Sequence, residues 1–118
     1  MKILVLLSLF AVLQTYTATQ INPSELSVGF SEIVGSGESR AANIGIRNDT
    51  KQALKNVIVT VKLQFDINNK GSVMKGERTE FVEVKALKPG ATFTATIKFN
   101  DKVMRLTSAA PESVIQKK

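Results

Sequence analysis

Val57, Val59, Val61, Leu63, Phe65 and Ile67 hold every second position of one uninterrupted run, and Thr60, Lys62, Gln64 and Asp66 lie between them. A period of two places the apolar side chains on one face of an extended chain and the polar ones on the other. The spacing therefore predicts a β-strand from about Asn56 to Ile67 with one buried and one wetted face. The pattern returns at Phe93, Ala95, Ile97 and Phe99, with Thr92, Thr94, Thr96 and Lys98 between, which predicts a strand over Ala91–Phe99. Shorter alternations predict strands from Leu26 to about Val34, over Ala42–Ile46 and over Thr79–Val84. A last short strand is expected over Val103–Leu106. Beyond it the alternation fades, and residues 107–118, with Pro111 and Lys117-Lys118, read as a flexible C-terminal tail.

The connections carry turn chemistry. Gly35-Ser36-Gly37-Glu38-Ser39, Asn48-Asp49-Thr50-Lys51 and Asn68-Asn69-Lys70-Gly71 separate the periodic segments. Leu87-Lys88-Pro89-Gly90 has proline and glycine at the two central positions that type II geometry requires. About six or seven strands with closely spaced turns predict an all-β, immunoglobulin-like antiparallel β-sandwich over residues 20–106.

Residues 1–19 break this pattern. Lys2 precedes the apolar run Ile3–Leu13, and small and polar residues follow to Gln20. That layout predicts a signal peptide, cleaved after Ala18 or Thr19. The run is shorter than the ~20 apolar residues a membrane span needs. A secreted or periplasmic protein that does not span a membrane is the expectation.

Composition narrows the chemistry. The chain has no cysteine, histidine or tryptophan. Disulfides, thiol nucleophiles, serine–histidine catalysis and imidazole metal ligation are thereby removed. Glu77, Glu80 and Glu83 are spaced by three, which on a strand turns Glu80 away from the other two and separates an acid/base pair. The expectation is a non-enzymatic protein without a cofactor. Asp66, Asn68, Gly71 and Glu77 match four positions of an EF-hand calcium loop, but Lys70 puts a cation where an oxygen ligand belongs. A strand rather than a helix also leads into the segment, so a hairpin turn is the expected structure. Asn48-Asp49-Thr50 is an N-glycosylation sequence in a predicted exposed turn; it has meaning only in a eukaryotic source, and a chance match in a polar turn is the default reading.

Lysine and arginine outnumber acids by 16 to 10. Anionic glycan or lipid surfaces are therefore possible partners. Nucleic acid is not expected, because the basic residues are scattered and no aromatic platform interleaves them. A sandwich has open strand edges that can accept a strand from a protein partner, unless lysines such as Lys62 and Lys98 discourage the pairing.

The block Asn43–Thr50, then Leu54-Lys55-Asn56-Val57 with the long strand, then Leu87-Lys88-Pro89-Gly90-Ala91-Thr92, resembles bacterial extracytoplasmic immunoglobulin-like modules of the FxLYD and CARDB families. Leu63-Gln64-Phe65-Asp66 and the Asn-Lys-Gly turn behind it are similar to the FxLYD pattern. Pro23–Asn48 also looks like the opening of pilus-chaperone sandwiches. The resemblance implies a binding module that acts on a protein partner through loops or an edge strand. The alternative it implies is an assembly accessory or chaperone for an exported, fibre-forming subunit. Asn22-Pro23 is similar to part of a loop in chagasin-type protease inhibitors, whose Arg-Pro-Trp loop has no counterpart here.

Overall fold

The computed structural model describes residues 19–117, so the predicted leader, apart from Thr19, lies outside the described residues. Seven strands run in chain order: β1 (Thr19–Ile21), β2 (Leu26–Phe30), β3 (Ala41–Asn48), β4 (Leu54–Asn69), β5 (Ser72–Leu87), β6 (Thr92–Lys98) and β7 (Val103–Gln116). They form two antiparallel sheets, β1-β7-β4-β5 and β2-β3-β6. The predicted all-β sandwich is the observed architecture. Among the described residues no helix is long and apolar enough to cross a membrane.

The alternation read from the sequence builds the core. Val57, Val59, Val61, Leu63 and Phe65 of β4 point inward, and Ala42, Ile44 and Ile46 of β3 meet them from the other sheet. Val82 and Val84 of β5, Ile97 of β6 and Val114 of β7 complete the layer. Each such side chain, once fully buried, contributes about 1.5–3 kcal/mol against chain entropy. Beyond Leu63 the core ends in an aromatic pair. The Phe65 and Phe99 rings meet edge to face with centroids 6.0 Å apart. Gly76 lies beside Phe65, where a Cβ would come 2.6 Å from Ile67 Cδ1 and closer still to the Phe65 ring.

The turns follow their sequence signals. Lys70 and Gly71 have φ of 52° and 87°, the paired positive values of the two-residue hairpin turn whose twist matches its strands. Ala91 N donates to Lys88 O at 3.0 Å with Gly90 at φ 76°, the type II turn expected from Pro89-Gly90.

Four expectations are corrected. Residues 107–116 are not a tail: they belong to β7, which pairs with β4 from Val103 to Gln116, and Val114 is 1% exposed. Register shifts against β4 between Thr60 and Val61, Gln64 and Phe65, and Asp66 and Ile67 leave Glu112, Thr107 and Met104 as extra residues. Each bulge moves the inward side chain by one position, so Val103, Leu106, Ala109 and Val114 face the core without a period of two. β5 begins at Ser72, seven residues before the predicted start at Thr79. The predicted first strand stops at Phe30, and Val34 makes only an isolated bridge to Ala41. Thr19, assigned to the leader, is the first residue of β1 and pairs with Gln116.

Candidate functional site

An antiparallel ladder alternates hydrogen-bonded with non-hydrogen-bonded pairs, and this fixes which backbone groups of an edge strand stay open. The Lys70-Gly71 turn closes on Asn69 and Ser72, and from there β4 and β5 pair without a register shift to Leu54 and Leu87, except that Asn56, at φ 53°, and Lys85 are not paired. The pair flanking a two-residue turn is hydrogen-bonded. The even-numbered residues of β5 therefore bond to β4, and the odd-numbered residues from Val73 to Lys85 aim N–H and C=O away from the sheet. Past the unpaired Lys85 the inward phase shifts, Leu87 is 4% exposed, and its carbonyl accepts Asn48 Nδ2 at 2.9 Å. Among the described residues no strand pairs with the outer edge of β5. The strand is 16 residues long, and its ladder with β4 has no register shift and is unbroken from Ser72 to Val84.

The opposite edge of the same sheet differs. β1 already occupies Val114–Gln116 of β7, three bulges interrupt the rest, and Pro111 lacks a donor. Bulges and proline are devices that blunt an edge. β5 has neither. Its protection is chemical: Arg78 and Glu80 point to the inner side and form an ion pair of 2.5 Å. The Arg78 guanidinium lies 5.2 Å from the centre of the Phe99 ring, and its Nη1 donates to Lys98 O at 2.8 Å. Charges on the inner side of an edge strand close the sandwich flank while leaving the backbone edge exposed.

The outer face of the sheet carries a row of charges. Asp66, only 4% exposed, accepts from Lys75 Nζ at 2.8 Å and Arg105 Nε at 2.9 Å, one cation from each neighbouring strand. Lys75 first and Arg105 second hold its carboxyl below the usual carboxylate range. Glu77 is likewise lowered, by Gln64 and then Lys62, which lie 3.2 and 3.1 Å away. Gln64, Lys75, Gly76, Glu77 and Thr107 line a shallow depression of about 430 Å³ over these groups. Further along, Phe81 is 72% exposed on this face, opposite Thr60.

Acid should weaken the Asp66 bridge. A carboxyl whose folded pKa is depressed contributes stability above its unfolded pKa of about 4 and loses it as pH falls toward the folded value. Wild-type protein is expected to lose denaturation midpoint on acidification below that pKa. Asp66→Asn should start lower at neutral pH and show a flatter acid dependence. Parallel acid profiles for the two proteins would show that the bridge contributes nothing.

The remaining sequence candidates separate clearly. Glu77 and Glu83 face outward and Glu80 inward, as the spacing predicts. The calcium-like segment is a hairpin: Asp66 is held by two cations and Asn68 Oδ1 accepts Gly71 N at 3.1 Å. The expected exposed position of Asn48 is corrected. Asn48 is 0% exposed, its Nδ2 donates to Gln52 O and Leu87 O, and its Oδ1 accepts Thr50 N and Thr50 Oγ1. No room remains on the folded sandwich for a glycan at that nitrogen. Lys62 guards no edge, because β4 is a central strand; Lys98 ends β6, which is an edge. The sequence reasoning did not single out Arg78. The available signal was a cation at a position whose alternating neighbours Val82 and Val84 are core.

No family model, curated protein or solved structure matches the chain.

Proposed function

We propose that this chain is an exported, non-catalytic interaction module that captures an extended segment of a protein partner along the free edge of β5. One observation carries the reading: from Ser72 to Val84 the edge pairs with β4 without interruption, and its outward N–H and C=O groups meet no backbone partner among the described residues, while the β7 edge is blunted. Backbone groups of an added strand satisfy such an edge irrespective of partner sequence. Selectivity then comes from the side chains alternating along it, among them Lys75, Glu77, Phe81 and Glu83. The alternative, a chaperone-like accessory for fibre-forming subunits, uses the same edge to cap a subunit strand. Binding of anionic glycan or lipid would use the basic surface instead.

A photo-crosslinking side chain placed at Thr79 should give adducts in the native compartment, while one placed at Ser108 on β7 should not. Thr79→Pro removes an edge donor without touching the β4 ladder and should abolish capture by a second crosslinker at Phe81. Adducts from Ser108 alone would overturn the reading. A chaperone would in addition delay fibre formation by its client at substoichiometric amounts.

A further inference from the structure

The β5 edge restricts what can dock there, because only residues with outward backbone groups can exchange hydrogen bonds with a new strand. For two copies meeting edge to edge, odd-numbered residues must face odd-numbered residues, and a two-fold axis must pass beside one residue. Each choice of that residue sets a different row of charges across the junction.

Centring on Glu77, Arg78 or Glu80 places that charge against its own copy; centring on Glu80 also opposes Lys75 with Lys85 and Glu77 with Glu83. Centring on Val82 pairs no charges. Centring on Phe81 sets Glu77 against Lys85 but draws in Leu87, whose carbonyl is committed to Asn48. Centring on Thr79 is different. Lys75 then faces Glu83 of the other copy, Arg78 faces Glu80, and Thr79 faces Thr79, with each charged pair occurring twice by symmetry. The ladder runs from Val73 to Lys85, which is the whole open stretch.

We propose that a second copy of this chain docks antiparallel on β5 with the two-fold axis beside Thr79, joining the two four-stranded sheets into one. The proposal rests on the reading of β5 as the interaction edge and names its occupant. Opposite charges directly across a strand pair stabilise it, and like charges destabilise it. The Arg78–Glu80 ion pair of each chain meets its copy to give four charges of alternating sign on the inner face. On the outer face Glu83, which has no ion-pair partner among the described residues, faces Lys75 of the other copy, whose side chain is 80% exposed and whose ammonium is shared with Asp66 of its own chain. The interface is isologous and closes on itself, so it caps the long edge and does not propagate into fibres.

The test is sedimentation of the full chain across a concentration series, followed by charge exchange. Wild type is expected to dimerise. Glu83→Lys and Lys75→Glu should each raise the dimer dissociation constant about tenfold or more by creating like-charge pairs. Mixing the two variants should restore a heterodimer, because every facing pair is then opposite in sign. The chain has no cysteine, so a nitroxide on Thr79→Cys reports its own copy alone. Its mutual distance should be shorter than that of a label on Phe81→Cys, and this readout is independent of whether Lys75→Glu folds.

A wild type that stays monomeric at millimolar concentration, a mixture of the two folded variants that fails to associate, or labels closest at Phe81 would overturn the proposal. If the chain is monomeric but crosslinkers at Thr79 still capture a different protein, the second copy is excluded and the edge reading stands. If β5 captures neither, both fall.

Discussion

Asn48→Ala is expected to destabilise the protein by about 3 kcal/mol or more, although it removes a polar residue from a turn sequence. Its amide is wholly buried and bridges two loops: Nδ2 donates at 2.8 Å to Gln52 O and at 2.9 Å to Leu87 O, while Oδ1 accepts Thr50 N at 2.9 Å. The same residue's main chain accepts from Gly90 N at 2.7 Å and donates to Ala91 O at 3.0 Å. Alanine keeps those backbone bonds but strips the buried Leu87 O of its partner and the part-buried Thr50 N of its acceptor, at about 1–3 kcal/mol each. For a domain of this size the melting temperature should fall by more than about 10 °C. Asn48→Asp separates shape from donation. It preserves the outline but turns a carboxylate toward two carbonyl oxygens, so it should be at least as damaging as alanine. A thermal melt in which aspartate is tolerated would show that the donors are unimportant.

Leu63→Ala should cost about 3–5 kcal/mol, the upper part of the range for buried leucine. Leu63 is 0% exposed and sits on the central strand, opposite Arg78 on β5 and Ala109 on β7. Both ladders hold the backbone in place, so the void cannot close by strand movement. The lateral neighbours cannot fill it either: Ala109 is too short, and Arg78 is engaged with Phe99 and Lys98 O. Urea unfolding should show a lower midpoint with an unchanged slope. A loss below about 1 kcal/mol would mean the core repacks freely. Such a result would contradict the tightly registered sheet described above.

The sequence was most legible where a strand keeps both regular pairing and one buried face. β6 and the Val57–Phe65 stretch of β4 satisfy both conditions, and there the alternation holds. β7 hid because Met104, Thr107 and Glu112 are bulged, which shifts the inward phase three times. The first half of β5 hid for another reason: its inner positions Gly76, Arg78 and Glu80 are not apolar. There the strand borders the open flank, where glycine makes room for Phe65 and arginine covers Phe99. Asn48 read as a surface turn residue because its burial depends on the 87–91 turn folding over it. The candidate edge itself was beyond a one-dimensional pattern. Whether a strand is central or terminal is decided by topology, and only Arg78 and Glu80, two charges where alternation calls for core, point to β5 as an edge.

Backbone amide exchange, labelled at a dilution that favours the monomer and read residue by residue along β5, tests the open edge most directly. Slow exchange at even-numbered positions from Met74 to Val84 and fast exchange at odd-numbered positions from Val73 to Lys85 is the predicted result. Slow exchange at the odd positions as well would mean the edge is already covered within a single chain, and the account would be contradicted.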